Sequence, residues 1–525
     1  MLKGILTVGG WTMLSRILGL VRDQLLAATM GAGPIQDAYQ VAFRLPNLFR
    51  RLFGEGAFNA AFVPLFSGLL ANEGPAVARG FAREALGVLL FWLLCLTLLG
   101  ELFMPQVIRG IAPGFGANYP LAVSLGRITF PYVLLICAAA LVSGVLNGLE
   151  KFGVAAAAYV LFNVVGIAAI VFLTPHVQSV AHAAAWGITV SGVLQLGVLM
   201  IAAHRSGMGL GLPRPRLTPR MRLLMRRMLP GLIGSGITQL NLGVDTIIGT
   251  LLPAGSVSLM YFADRVNQLP LGVLGAAAGT TMLPVLTRQV QTNDMVAAHR
   301  TQNSAIEFAL VLTLPASLAL MVLAVPILGT LFGYGAFTPR DVVLSAQSLT
   351  GYAFGLPFFV LIKVLAPGFF ARGDMSTPVR IGMATLGVNL CLNLALMHPL
   401  QHVGPPLATS LASMINALAL MVVLLRRGYL QPDRVMLSRL LRMGLASVAM
   451  AAVLALVSHT LLSGLERWHG LERIAGLLLL VTIGMVVYAT LLQLLGIFDV
   501  RQLAAKLKRR LQRRRQDTSS GNTSS

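Results

Sequence analysis

Long apolar stretches follow one another along nearly the whole chain, separated by short polar loops. A helix needs about 20 mostly apolar residues to cross a bilayer. The pattern predicts an all-α polytopic membrane protein with about 14 transmembrane helices. The stretches lie near 3–30, 36–70, 82–108, 121–148, 153–174, 183–204, 226–252, 257–287, 302–331, 342–370, 378–397, 404–425, 437–462 and 472–496. The second is too long for one straight span, and Pro46 and the GEG at 54–56 are places where it can bend.

The composition and the distribution of charge agree with this prediction. Of the 525 residues, 56% are hydrophobic and 11% are charged, whereas soluble domains carry about 25% charged residues. The formal net charge is +22. Most Lys and Arg lie in alternate short loops and in the C-terminal tail, a pattern typical of membrane topology and not of a nucleic-acid partner. We therefore expect both termini in the cytoplasm.

A weak internal repeat divides the chain. Arg44 follows Ala42-Phe43 and lies 20 residues before a proline; Arg265 follows Ala263-Asp264 and lies 19 residues before one. The repeat predicts two pseudo-symmetric six-helix lobes followed by two further C-terminal helices. The expected parts are an N-lobe at 1–205, a basic cytoplasmic linker at 206–225, a C-lobe at 226–427, transmembrane helices 13 and 14 at 437–496, and a basic cytoplasmic tail at 497–525 that lies on the anionic inner leaflet.

Clusters of charged and polar side chains lie within three of the apolar stretches. At the bilayer centre each charged side chain costs about 2.5–3.5 kcal/mol, so a water-filled cavity is expected. The first stretch carries Ser15, Arg16, Arg22 and Asp23 on one wedge, with Gly19 leaving room for a bulky ligand group. The second stretch carries one polar stripe, formed by Asp37, Gln40, Arg44, Asn47, Arg51 and Glu55. The eighth carries a polar patch, formed by Asp264, Arg265 and Gln268.

Arginine predominates among these charges, which favours a large anionic ligand. Its planar group binds phosphate oxygens in pairs and stays charged at any relevant pH, so a cluster from three helices suits a diphosphate. The alternative is that the charges form structural ion pairs that hold helices together.

Two isolated carboxylates, Asp245 and Asp374, suggest an ion site. A buried carboxylate can bind Na⁺ or carry a proton, with Asn241 or Asn389 as oxygen ligands. The alternative is a helix-packing contact or, for Asp374, a loop or cap role. The chain has no GxxxxGK[ST] phosphate loop and no Ser/His/Asp arrangement, so we expect no enzymatic activity and no cofactor beyond this coupling ion.

Five segments carry a resemblance to a known family. They resemble segments of the MurJ/MviN lipid II flippases, members of the multidrug/oligosaccharidyl-lipid/polysaccharide exporter superfamily. Their sequences are SRILGLVRD (15–23), DAYQVAFRLPNLFRRLFGEGAF (37–58), TFPYVLL (129–135), YFADRVNQLPLGVLG (261–275) and VLAPGFFARGDMSTPV (364–379). The resemblance implies helices arranged as six, six and two around a cationic cavity. It also implies export of undecaprenyl-pyrophosphate-linked peptidoglycan precursor across the bacterial inner membrane, with a groove for the lipid tail at 437–496. We further expect the protein to act as a monomer and to contact membrane lipids.

The resemblance also assigns residues. It implies substrate binding by Ser15, Arg16, Arg22, Arg50 and Arg265, whereas the helical stripe selects Arg51 instead of Arg50. Its sodium-site pattern matches at Asp245 and Asp374. Two other functions stay open: an O-antigen or capsule flippase, which also carries a polyprenyl diphosphate, and a multidrug/cation antiporter, which should have an acidic cavity.

Overall fold

The computed structural model describes residues 2–54, 57–211, 215–460 and 470–497, and within these ranges the chain is helical with no strand. The all-α prediction is therefore confirmed. The first half forms α1 (Leu2–Met30), α2 (Pro34–Gly54), α3 (Ala57–Asn72), α4 (Pro75–Leu102), α5 (Met104–Ile111), α6 (Tyr119–Thr129), α7 (Tyr132–Gly148), α8 (Phe152–Ala168) and α9 (Val180–Arg205). A π turn at Ala169–Leu173 and a 3₁₀ turn at Thr174–His176 extend α8.

The second half begins after the basic linker. Its helices are α10 (Pro219–Thr250), α11 (Ser256–Gln291), α12 (Met295–Val322), α13 (Ala324–Phe332), α14 (Pro339–Phe370), α15 (Ser376–Leu400), α16 (Gly404–Arg426), α17 (Arg434–Thr460) and α18 (Leu471–Leu494). Helix α10 has Pro219 in its first turn, and the hydroxyl of Thr218 accepts a hydrogen bond from the amide of Met221, as expected of an N-cap.

Each predicted apolar stretch corresponds to one helix or to two consecutive helices. In the long second stretch, α2 extends to Gly54 with Pro46 inside it and α3 extends from Ala57, whereas Glu55 and Gly56 of the expected bend lie outside the described residues. By length and composition, nine helical segments of the described chain can cross a membrane. The protein is thus a multi-pass membrane protein, and the number of fourteen spans stays a prediction.

The chain forms two compact units. The first contains Met1–Arg265, Leu331–Ser348 and Gly382–Ala412; the second contains Val266–Thr330, Leu349–Ile381 and the described part of Ser413–Ser525. The division into lobes at 1–205 and 226–427 stays a prediction. The tail after residue 497 lies outside the described residues.

Small residues allow close helix packing in the first unit. A Cβ atom on Gly148 of α7 would lie 2.6 Å from Cδ1 of Phe66, and one on Gly144 would lie 3.1 Å from Cδ1 of Phe62. Both phenylalanines are fully buried. Close approach of this kind supplies van der Waals contact in lipid, where the hydrophobic effect does not drive helices together.

In the second unit, α17 and α18 pack with α12. The Tyr488 hydroxyl donates to the carbonyl of Val311 at 2.8 Å, which satisfies a polar group in an apolar contact. Met443, Met450 and Leu454 of α17 are buried in the same cluster. The two C-terminal helices are therefore an integral part of this unit.

Candidate functional site

The carboxylate of Asp23 lies at the centre of a polar cluster in the first unit. Asp23 is fully buried. Its Oδ1 accepts hydrogen bonds from Nη2 of Arg22 at 2.8 Å and from the Tyr261 hydroxyl at 3.1 Å. Its Oδ2 lies 2.5 Å from Nε of Arg265. The structure thus brings together two of the predicted arginines, one from α1 and one from α11, around one acid.

The charge of this cluster is only partly balanced. Arg22 and Arg265 together carry two positive charges and Asp23 carries one negative charge. A buried charge is costly unless it is paired, and the fully buried carboxylate meets this condition through both arginines. The Arg265 side chain is 38% exposed, so the excess positive charge lies where a ligand can reach it.

Aromatic packing fixes the buried arginine. The guanidinium of Arg22 lies over the ring of Phe162 on α8, 4.9 Å from its centroid, a cation–π contact. A cavity of about 10 Å³ lies beside it, and its lining is formed by Arg22, Tyr39, Phe162, Gly166, Ile170, Ala184 and Ile188. That volume is about enough for one water molecule.

The other α1 residues flank this cluster. Nδ2 of Asn163 donates to the carbonyl of Ser15 at 2.9 Å and to its hydroxyl at 3.2 Å, which ties α8 to α1. Arg16 is exposed. The space that the sequence assigned to a ligand at Gly19 contains Nη2 of Arg265, 2.9 Å from the position of a Cβ atom.

Asp37 connects α2 to the start of α11. Its Oδ2 accepts from the amide of Gly255 at 2.6 Å, and its Oδ1 accepts from the amide and the hydroxyl of Ser258 at 2.8 and 2.6 Å. The first amides of a helix lack partners within the helix, and a carboxylate there is favoured by the helix dipole. These contacts favour the structural interpretation of Asp37.

The remaining predicted residues on α2 and α11 are half-buried. Nε of Arg50 donates to Oδ1 of Asn47 at 3.1 Å, so these two side chains form one polar group. Arg51 and Asp264 are also half-buried. Glu55 lies outside the described residues.

Residues 26–472 of the chain match a family model that is described as "Lipid II flippase MurJ". The chain belongs to the MurJ family.

Relatives agree over most of their length. The chain is 42% identical over 461 residues to the probable lipid II flippase MurJ of Rhizobium meliloti (strain 1021), with 86% of each chain covered. It is 39% identical over 518 residues to that of Rhizobium tropici, with 97% of each covered. A solved structure described as lipid II flippase MurJ in an inward closed conformation has a TM-score of 0.75 at 24% identity, covers 92% of this chain and 97% of its own, and shows the shared fold. Membership in the MurJ family confirms the resemblance that the sequence indicated.

A second polar group in this MurJ-family chain surrounds Asp245 on α10. Asp245 is 7% exposed. Its Oδ1 accepts from Nδ2 of Asn393 at 3.1 Å and its Oδ2 accepts from the Thr409 hydroxyl at 2.9 Å. Nδ2 of Asn393 also lies 2.5 Å from Oδ1 of Asn389. The group is rich in oxygen atoms, the ligands that hard cations prefer. The side chain of Asn241 lies outside the described part of the chain.

One amide oxygen of this group lacks a protein partner. Oδ1 of Asn393 is buried and accepts no hydrogen bond from the residues that the structure describes. Such an orphaned oxygen is costly and calls for an explanation such as an ion or a water molecule.

Asp374 lies in a different environment, just before α15. Its Oδ1 accepts from the amide of Thr377 and the hydroxyl of Ser376, both at 3.0 Å. Its Oδ2 accepts from the Thr377 hydroxyl at 2.6 Å and pairs with Nη1 of Arg427 at 2.5 Å. The hydrogen bonds from Thr377, with further help from Arg427, hold the pKa of Asp374 below its ordinary value. These contacts favour the cap interpretation.

The sequence did not assign roles to several residues of both groups. Asp23 was recognised as a nearby acid but not as a site residue, and Tyr261, Asn163, Asn393 and Thr409 were not selected. Two of these residues could have been found from the sequence: Asn163 is the polar residue within VLFNVV, and Asn393 follows Asn389 by one helical turn. The sequence does not indicate which residues on distant segments pair with the acids.

The lowered pKa of Asp374 predicts a pH-dependent contribution to stability. Because the folded pKa is depressed, the contribution is complete above the unfolded value of about 3.9 and is lost as pH falls below it. Asp374→Asn keeps a cap oxygen and removes the charge that faces Arg427. The variant should therefore melt below the unaltered protein at about pH 7, and the difference should narrow below about pH 4. Thermal unfolding of both proteins in detergent across this pH range measures the difference in melting temperature. A difference in melting temperature that stays constant down to about pH 3 would contradict the prediction.

Proposed function

We propose that the chain is a lipid II flippase that moves undecaprenyl-pyrophosphate-linked peptidoglycan precursor from the cytoplasmic to the periplasmic leaflet by alternating access. Membership in the MurJ family supports the cargo. The observation that carries the binding site is the partly balanced pair of arginines at Asp23.

The chemistry of this pair suits a diphosphate. Guanidinium groups bind phosphate oxygens through charge-assisted hydrogen bonds. Asp23 holds Arg22 and Arg265 close together despite their like charges, so the entering anion meets donors that are already positioned. Because the carboxylate cancels part of the positive charge, the site binds the anion without holding it too tightly for release on the other side.

Other polar residues extend the proposed site. Ser15 and Arg16 lie on α1 within two turns of Arg22. Arg50 and Asn47 form a polar pair on α2. As further headgroup contacts we propose Arg51, Glu55 and Asp264, whereas the hydrogen bonds of Asp37 support a structural role.

The cargo tail requires an apolar surface. We propose that it lies along α17 and α18, within 437–496. Several large apolar side chains on these helices are exposed, among them Leu441, Leu456, Met485, Leu478 and Val448. Such a surface suits an isoprenoid chain as well as membrane lipid.

We further propose that Asp245, Asn389, Asn393 and Thr409 bind Na⁺. These residues fit Na⁺ because the atoms that would bind the ion are all oxygens and only the Asp245 side chain is charged. In addition, Oδ1 of Asn393 lacks a protein partner within the described chain. A bound Na⁺ would supply coupling energy for transport. Protonation of Asp245 is the alternative form of coupling. Asp374 is less suited to bind Na⁺ because its carboxylate oxygens already accept the cap hydrogen bonds.

The proposed location is the bacterial inner membrane, with both termini in the cytoplasm and the protein acting as a monomer. The basic residues of the linker at 206–225 and of the tail at 497–525 support this orientation, because cytoplasmic loops carry an excess of Lys and Arg.

Loss of a site arginine should abolish flipping. We expect Arg16→Ala, Arg22→Ala, Arg50→Ala and Arg265→Ala each to fail to support growth at normal expression, because a lost charged hydrogen bond costs about 1.5–3 kcal/mol. Cells depleted of the native flippase and assayed for lipid II at the outer face provide the measurement. Arg300→Ala, at an exposed position, is the control and should retain function. Full function in all four site variants would rule out the proposed anion site.

Sodium should stabilise the protein through Asp245. We expect NaCl to raise the melting temperature of the purified protein more than choline chloride does at equal ionic strength, since a ligand that binds the folded state stabilises it. Asp245→Asn should remove the difference between the two salts. An equal response to both salts in the unaltered protein would count against a sodium site.

Cysteine labelling tests the orientation. In a background in which Cys95, Cys137 and Cys391 are serine, we introduce Arg216→Cys in the linker or Ala117→Cys between α5 and α6; both positions are exposed. A membrane-impermeant maleimide added to intact cells should label position 117 alone, and position 216 should react only after permeabilisation. Labelling of position 216 in intact cells would refute the orientation.

A further inference from the structure

Gly19 lies where the guanidinium of Arg265 passes over α1. A Cβ atom on Gly19 would lie 2.9 Å from Nη2 of Arg265, and its next nearest neighbours would be the amide atoms of Asn163 at 3.6 and 3.7 Å. Asp23 follows Gly19 by four residues, so both lie on one face of the helix. Arg265 therefore reaches Asp23 by way of the space above the glycine.

Gly166 stands in the same relation to the other arginine. A Cβ atom on Gly166 would lie 3.1 Å from Cδ of Arg22 and 3.7 Å from its Cγ. Phe162 precedes Gly166 by four residues, so its ring and the glycine share one face of α8. The ring supports the guanidinium, and the glycine leaves space for the aliphatic stem.

Neither position requires glycine for its backbone conformation. Neither belongs to the glycines of the described chain with positive φ, and a glycine inside a helix is less favourable than alanine. Two other helix glycines have open space instead: a Cβ atom on Gly10 of α1 or on Gly197 of α9 would meet no atom within 4 Å.

We propose that Gly19 and Gly166 are positioning residues of the arginine site, which reserve the space in which Arg265 and Arg22 lie against Asp23. The inference rests on the proposed function, in which these arginines bind the diphosphate. At Gly19 an added methyl group has to displace the end of a flexible side chain, so the fold tolerates it while the guanidinium moves. At Gly166 it presses on a buried stem that is held between Phe162 and Asp23.

Alanine substitutions in the full chain test the proposal. We expect Gly19→Ala and Gly166→Ala to weaken lipid II binding by roughly tenfold, since binding groups have to be held within about 0.5 Å of the productive geometry, while both variants still fold. Gly10→Ala and Gly197→Ala are the matched controls and should bind with unchanged affinity. Binding is measured on the purified protein in nanodiscs, with lipid II as the titrated ligand.

A second substitution separates positioning from a general structural role. In an Arg265→Ala background, Gly19→Ala should cause no further loss of affinity, because the atom that it displaces is absent. A full additional loss there would overturn the proposal for Gly19. If Gly19→Ala alone fails to fold, recovery of folding in the Arg265→Ala background supports the contact, and failure in both backgrounds overturns it.

The same measurements distinguish this inference from the proposed function. If Arg265→Ala binds lipid II with full affinity, the anion site itself is wrong. If Arg265→Ala binds weakly but Gly19→Ala and Gly166→Ala bind as the controls do, only the positioning role is wrong.

Discussion

Burial of the Asp23 carboxylate between two guanidinium groups is the interaction on which the polar interior of the first unit depends. In an apolar surrounding, two arginines on neighbouring helices repel each other and neither is fully solvated. One shared acid makes their proximity tolerable. The same acid leaves a net positive charge, so the arrangement that stabilises the protein also leaves the cluster able to attract an anion.

This arrangement requires helices that approach closely and at fixed positions. Arg22 reaches Asp23 within α1, but Arg265 has to cross from α11, and Tyr261 donates from one turn earlier on that helix. Asp37 fixes where α11 begins. The electrostatic cluster and the cap thus reinforce each other, because both hold the start of α11 against the first two helices.

Much of the fold and part of the site could be predicted from the sequence. The apolar stretches identified the helices of the described residues, because a spanning segment must satisfy its backbone hydrogen bonds within itself and is therefore recognisable as one long apolar run. Charge in an apolar stretch is conspicuous, so the wedge on the first stretch and the patch on the eighth identified Arg22 and Arg265. The partners of Asp37 and Asp245 were not predictable in this way. Ser258 and Thr409 lie 221 and 164 residues from these acids, and only the folded chain shows the pairing.

The cap formed by Asp37 has a consequence for motion. Any rearrangement that separates α2 from the start of α11 removes the carboxylate from three donors at once. Water has to enter and take over these hydrogen bonds before the separation is complete, since an unsatisfied carboxylate in an apolar surrounding is costly. The rate of such an opening would therefore depend on how quickly this point hydrates, and lowered water activity would slow it.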